Sequence, residues 1–401
     1  MRRAAIRVRG FRAGGVHCGI KDDGLDLALL LSDVPAAVAG VFTRSTVVGA
    51  PVELCRERVR RGRARAVVVN SGISNVAMGA RGKRDAEAMT VLAARAIGAD
   101  PQEVLVASTG VIGEPLPMPE IRRGIPLAAE AASPRGWGRA ARAIMTTDTF
   151  PKSAVATARL GGRGGREITV AGIAKGSGMI EPDMATMLAF LATDAAVQPA
   201  LLRRLLREVA DASFNRVSVD GETSTSDTLL LFANGVAGNP ILRDPRSLGV
   251  RRFAAAVTEV ASALAQDLAR DGEGATKLVT VRVSGARSQR EAERAARRIA
   301  NSMLVKTALF GGDANWGRIL QTVGAGRVAL CLERSEVALG GVTVFRRGAS
   351  TGPAARRRAA AKLRAPELEV AVKLGAGRGQ ARVWTCDLSY DYVRINAEYT
   401  T

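Results

Sequence analysis

Two short apolar runs that stop at small polar residues constrain this chain more than any other feature. Ala66–Val69 runs into Asn70-Ser71-Gly72, and Val104–Ala107 runs into Ser108-Thr109-Gly110. Four apolar residues in a row, rich in valine and bounded by turn formers, read as buried strands and are too short for helices. Between them, residues 84–97 place Ala86, Met89, Ala93, Ala96 and Ile97 on one helical face. Strand, helix and strand, each strand ending at a polar loop, point to an α/β fold in which strand ends deliver binding groups.

The rest of the chain keeps this mixture. Ala154–Leu160 and Ile168–Ala174 read as a hairpin around the glycine turn 161–165, which lacks the Gly-Lys-Ser/Thr ending of a phosphate loop and enters a strand. Helical spacing marks Pro199–Ala212, residues 253–270 and residues 289–304. Strands are expected at Leu278–Val283, Glu367–Leu374 and Ala381–Leu388, the last two joined through the turn 375–379 as a hairpin. The expected class is mixed α/β.

With 401 residues, 47% of them hydrophobic, the chain suffices for two domains or one large two-layer unit. Its formal net charge of +20 raises the question of nucleic acid. The arginines are scattered, and aromatic residues make up only 4%, too few for base-stacking platforms. A solvated basic surface that attracts small anions, such as amino-acid carboxylates, is the favoured reading. Cys18, Cys55, Cys331 and Cys386 lie far apart, with no metal-ligand spacing and no disulfide framework. The longest apolar stretches, Leu27–Leu31 and Met184–Ala192, fall far short of a membrane span, and no signal-like run follows the basic residues 1–15. A soluble cytoplasmic protein without a metal, a nucleic-acid partner or a membrane partner is expected.

There is one histidine, His17, in a glycine-rich stretch near the N-terminus. Histidine-based triads would need this one residue, and multi-histidine zinc sites are excluded. Any nucleophile must find a different base. That bears on residues 174–192, where Lys175-Gly176-Ser177-Gly178 leads through Pro182 to Met184-Ala185-Thr186-Met187-Leu188. Thr186 could simply fill a small core position. It could also be a nucleophile whose base is its own α-amine, which titrates near neutrality once the threonine is an N-terminus. Cleavage of the Ala185–Thr186 bond by the threonine hydroxyl would create that N-terminus, and the small residue and nearby glycines suit the tight geometry. Thr109-Gly110 could supply oxyanion donors, or be an ordinary turn; the residues alone leave both open.

Nine motifs in order carry a resemblance over essentially the whole chain. They are Ser32-Asp33-Val34-Pro35-Ala36 with Gly40-Val41-Phe42-Thr43, then Ser108 to Gly113, Thr146-Thr147-Asp148-Thr149, Lys175 to Ile180 and Met184 to Leu188. Val219-Asp220-Gly221 with Thr223-Ser224-Thr225, Asp271 to Lys277, Asn315-Trp316-Gly317-Arg318 and Tyr392 to Thr401 complete them. With these the chain resembles the glutamate N-acetyltransferase, or ornithine acetyltransferase, family.

The resemblance implies a mixed α-β-β-α sandwich of the N-terminal-nucleophile type. It implies two intertwined fragments, residues 1–185 and 186–401, assembled two of each. Thr186 matches the nucleophile, the Ala185–Thr186 bond the self-cleavage point, and Thr109 with Gly110 the oxyanion pair. Substrate contacts carry over to Thr146, with Thr147 the near alternative, and to Lys175, Glu273, Asn396 and Thr401. The implied reaction moves acetyl from N2-acetyl-L-ornithine to L-glutamate, releasing ornithine, with no cofactor; some members also take acetyl-CoA as donor. Lys175 suits a carboxylate and Glu273 an ammonium group. Where the family reads Asn-Ser-Gly-Asn-Ala-Asn, this chain has Asn70-Ser71-Gly72-Ile73-Ser74-Asn75, which places an apolar Ile73 in a loop expected near the site. An aminopeptidase or amidase with an N-terminal nucleophile is the alternative activity, and a basic nucleic-acid binder a more distant one.

Overall fold

The computed structural model describes residues 6–161, 164–181 and 187–398. Among them, β1 (Phe11–Val16), β2 (Leu27–Phe42), β3 (Arg63–Ile73), β4 (Val104–Val111), β5 (Lys152–Arg159), β6 (Glu167–Lys175), β7 (Leu188–Thr193) and β8 (Thr228–Ala233) form one sheet. Its order is β4-β3-β2-β8-β7-β6-β5, with β1 beside β2. The two apolar runs are therefore neighbours: β3 and β4 pair in parallel from Ala66↔Val104 to Ile73↔Val111. Their polar endings are not the loops expected but the last rungs of this ladder, because each strand finds a partner to its final residue.

The strand β2 decides the shape of the site. Its first half pairs with β1 and β3 and its second half with β8, and the register shifts between Leu31 and Ala36. Pro35 sits in that interruption, where the ladder can spare its missing N–H. The bend folds the sheet over on itself. Laid flat, the five steps from β4 to β6 would span about 24 Å at ~4.8 Å per strand. Instead the Lys175 amine at the end of β6 donates to the Thr109 hydroxyl near the end of β4 over 3.2 Å.

One core lies between the two halves. It joins Val67, Val69, Leu105 and Val106 of the first half to Leu188, Phe190, Leu230 and Phe232 of the second. Helices α1 (Ala50–Arg58), α2 (Gly79–Ile97), α3 (Met118–Glu130) and α4 (Trp137–Ala143) pack with the first half. On the outer face of the second half, the alternate residues Ala189, Leu191, Leu229 and Leu231 meet α5 (Pro199–Ala212) and α6 (Leu248–Arg270). The mixed α/β sandwich is thus made by one bent strand.

A second sheet follows, built from β9 (Leu278–Ala286), β10 (Glu336–Leu339), β11 (Val342–Arg346), β12 (Ala349–Ser350), β13 (Glu367–Lys373) and β14 (Gly379–Cys386) in the order β12-β11-β10-β13-β9-β14. The hairpin expected from β13 and β14 does not form. They flank β9, parallel on one side and antiparallel on the other. The intervening turn crosses the end of β9, where the N–H groups of Ala376 and Gly377 each reach the Gly285 carbonyl at 2.8 Å. The helix expected over 289–304 is two, α7 (Gln289–Asn301) and α8 (Met303–Phe310), because the Ser302 hydroxyl accepts from the Val305 N–H and caps a new start. With α9 (Trp316–Ala325) and α10 (Pro353–Lys362) they bury a separate core against this sheet, and α11 (Tyr390–Glu398) returns towards the large one. The described cysteines are free, and no described helix is long and apolar enough to cross a membrane.

Candidate active site

The folded-over sheet leaves a cavity of about 110 Å³ between its halves. That is well below the ~300–1,000 Å³ of clefts for drug-sized molecules. Its wall holds Thr109 and Gly110 from β4, Thr146 and Thr147 from the link between α4 and β5, and Lys175 from the last rung of β6. Glu273, between α6 and β9, and Asn396 of α11 close it from the C-terminal half. Every described residue expected at the site lines this one cavity. Ala185, Thr186 and Thr401 lie outside the described residues, while Met187 and Leu188, next along the chain from Thr186, line the cavity too.

Local chemistry explains several of the motifs. Gly110 has φ +127°, and a Cβ there would meet the Gly72 carbonyl carbon at 2.2 Å, so the close approach of β3 and β4 demands glycine irrespective of any oxyanion role. A Cβ on Gly178 would lie 2.4 Å from the Glu273 carboxylate, so this glycine lets the carboxylate press against the backbone. The Asn396 amide donates to Glu273 at 2.8 Å, and the hydroxyls of Thr147 and Ser177 are 2.7 Å apart. Asp220 accepts the N–H groups of Met179 and Ile180 at 2.6 and 2.8 Å, fixing the chain just before the segment that leads to Thr186.

Behind the wall lies a buried ion triad that the motifs did not announce. Lys152 is fully buried and donates to Asp148 at 2.6 Å and to Asp271 at 2.5 Å. Asp148 also accepts the N–H of Gly176 at 2.7 Å and of Thr146 at 3.0 Å, while Asp271 accepts the N–H of Thr149 at 3.1 Å. One lysine thereby ties together the loops that carry Thr146, Lys175 and Glu273. Burial alone would raise the Asp148 carboxyl, but the charges of Lys152 and Lys175 and the Gly176 N–H outweigh it and hold it down at about 2.

The cavity's own charged groups are balanced less well. Burial pulls the Lys175 ammonium below the ordinary lysine range, opposed chiefly by the charge of Asp148. Asp227, immediately before β8, was not foreseen. Burial pushes its carboxyl well above the usual carboxylate range, against the pull of the Ser224 hydroxyl, the Met187 N–H, the Thr43 hydroxyl and the Lys175 charge. A charged residue two positions ahead of the wholly apolar run Leu229–Ala233 was the available signal.

His17 takes no part in the cavity. Its side chain is half exposed, with Nδ1 2.7 Å from the Gly24 carbonyl oxygen, and the glycine stretch around it wraps the buried Asp26 carboxylate. Ile73 corrects another expectation. It packs on the core at the end of β3 and is not in the cavity wall, where Ser74 stands instead.

A model of the ArgJ family matches residues 12–401. The arginine biosynthesis bifunctional protein ArgJ of Geobacter sulfurreducens is 52% identical over 397 residues, covering 99% of this chain and 100% of that protein. The protein of the same name from Bacillus subtilis is 43% identical, covering 98% of this chain and 95% of the relative. A solved structure of ornithine acetyltransferase complexed with ornithine, from Mycobacterium tuberculosis, is 36% identical with a TM-score of 0.40, covering 46% of this chain and 98% of that one. A small cavity lined by charged groups, in a chain with these relatives, defines a transferase of amino-acid biosynthesis. The chain belongs to the ArgJ family, whose members act in arginine biosynthesis.

Proposed function

We propose that the chain transfers the acetyl group of N2-acetyl-L-ornithine to L-glutamate through an ester on Thr186. The observation that carries this reading is convergence. Thr109, Gly110, Thr146, Thr147, Lys175, Glu273 and Asn396, spread over nearly 300 residues, line one cavity beside Met187. Residues from both sides of the Ala185–Thr186 bond build it, as two fragments that remain intertwined require.

The steps follow from the chemistry. Thr186 attacks the acetyl carbonyl with its α-amine as base, and Thr109 with Gly110 holds the oxyanion. Ornithine leaves as an amine, glutamate's amine takes the acetyl group from the ester, and the threonine hydroxyl is restored. Lys175 receives a substrate carboxylate, whose charge favours the ammonium form that burial disfavours. Glu273, steadied by Asn396, receives an ammonium group.

The test is a denaturing gel of the purified protein and of Thr186→Ala, run beside an acetylornithine assay. Two fragments and glutamate-dependent loss of acetylornithine are expected for the wild type, and one inactive full-length band for the variant. An uncleaved yet active wild type overturns the mechanism. Loss of acetylornithine that glutamate does not stimulate makes the enzyme a hydrolase. The same assay with acetyl-CoA in place of acetylornithine reads the second donor.

A further inference from the structure

The loop between β1 and β2 is built around a buried carboxylate. Asp26 accepts the N–H groups of Cys18, Gly19, Ile20 and Lys21 at 2.8–3.2 Å. Its own carbonyl takes the Ser71 N–H at 2.8 Å, which fastens the loop to β3. Four amides on one carboxylate give the loop a fixed course, and that course lays Lys21 across β3. The Lys21 stem passes over Gly72, where a Cβ would meet Lys21 Cγ at 3.0 Å and Ile20 Cγ2 at 3.1 Å. Beyond this crossing the Lys21 ammonium donates to the Met145 carbonyl at 3.1 Å, 124 residues further along the chain.

We propose that Lys21 is a positioning residue for Thr146, an inference that rests on the reading that Thr146 contacts substrate. The observation that carries it is a peptide held at both ends. The Met145 carbonyl belongs to the peptide that joins Met145 to Thr146. The N–H of that peptide is the Thr146 N–H, and it donates to Asp148 at 3.0 Å. An ammonium sits on the oxygen and a carboxylate on the hydrogen, so each end meets the charge that suits it. A peptide is planar, so fixing both ends fixes the plane, and with it the direction in which the chain enters Thr146. Neither contact uses the Thr146 side chain, which stays in the cavity wall.

The place of Lys21 in the fold gives the clamp its reach. Gly72, which Lys21 crosses, is the residue against which Gly110 packs. Lys21 therefore spans from the β3–β4 ladder, which carries Thr109 and Gly110, to the link between α4 and β5, which carries Thr146. The Ser71 hydroxyl makes a second tie alongside it, to the Ala143 carbonyl at 2.8 Å. Lys21 is half-buried, and burial pulls its ammonium below the ordinary lysine range against the charges of Asp26, Asp148 and Asp23. Asp148, the carboxylate on the far end of the clamped peptide, is thus among the charges that keep Lys21 an ammonium. The two walls of the cavity are set in register by one side chain that stands behind them.

The experiment is a double-mutant cycle of Lys21→Met and Thr146→Ala, read as KM and kcat for acetylornithine with glutamate as acceptor. Lys21→Met should raise KM about tenfold, inside the hundredfold that a misplaced group costs, with kcat within about twofold and the unfolding temperature unchanged. On the Thr146→Ala background the same change should add less than about twofold, because the group it positions is gone. Lys21→Arg offers N–H donors to the same carbonyl and should bring KM to within about threefold of wild type. An equal rise on both backgrounds, or no rise on the wild type, overturns the role of Lys21. If Thr146→Ala leaves KM unchanged, Thr146 does not bind substrate and the role falls with it. A wild type without glutamate-dependent transfer overturns the activity itself, and this role too. If Lys21→Met does not fold, Lys21→Ala goes through the same cycle. Failure of both to fold makes Lys21 part of the scaffold and overturns the proposal.

Discussion

Two charged regions lie within one loop of each other and are built in opposite ways. In the triad behind the cavity, Lys152 has a carboxylate on each side, and the remaining carboxylate oxygens take the backbone N–H groups of Thr146 and Thr149. In the cavity wall, among the described residues, Lys175 donates to one hydroxyl and Asp227 keeps a buried oxygen without a partner. Burial is similar in both, so burial does not separate them. What separates them is satisfaction: the triad is complete without a ligand, and the wall is not. A buried polar network that is fully satisfied holds a structure in place, whereas one left partly unsatisfied stores a demand that a ligand can meet.

The sharpest way to break this contrast is Lys152→Met. It leaves Asp148 and Asp271 facing each other in a dry site, and a loss of about 3–5 kcal/mol in unfolding free energy is expected. Activity should fall with the folded fraction, and a loss below ~1 kcal/mol would show that the triad holds nothing together. The pH dependence sharpens the point. With its folded pKa depressed to about 2, Asp148 contributes stability that is present above the ordinary carboxylate value and is lost as pH falls through about 2. The methionine variant should lack much of that acid-range loss.

Lys175→Met applies the same chemical change to the wall and should do the reverse. Removing a buried, poorly paired ammonium should leave stability equal or higher. Yet kcat/KM for acetylornithine should drop about ten- to a hundredfold, the worth of ~1.5–3 kcal/mol for a hydrogen bond to a charged group. A variant that loses stability and keeps full activity would put Lys175 with the triad.

This contrast also marks how far the chain could be read in advance. The α/β class was legible because buried strands and helices leave their periods in the sequence, as Ala66–Val69 and Pro199–Ala212 do. The bend in β2 was not, since a register shift depends on which strands pair with each half. The hairpin misreading of β13 and β14 has the same cause: β9, which parts them, lies some 80 residues upstream. Of the site, the cavity-lining residues expected came from matched motifs. Lys152, by contrast, was invisible because an isolated lysine in a strand gives no sign that it faces two carboxylates from distant loops.

Asp227 divides the two regions by pH instead of by mutation alone. Its folded pKa is raised, so the stability tied to its protonated form is fully present below the ordinary carboxylate pKa and is lost as pH rises through the folded value. Asp227→Asn should remove that loss. The variant's unfolding free energy relative to wild type should therefore grow between about pH 4 and pH 8. A constant difference would show an ordinary carboxylate. The smallest effect is expected at Asn396, which is exposed and reaches the wall through the 2.8 Å bond to Glu273. Asn396→Ala should leave the unfolding temperature unchanged and raise KM a few-fold, the worth of about 1 kcal/mol for one hydrogen bond. It frees a Glu273 oxygen without removing the charge, so kcat should hold while KM moves. A fall in kcat with KM unchanged would mean that Asn396 works in the transition state, and that the wall's unmet demand extends onto the surface helix.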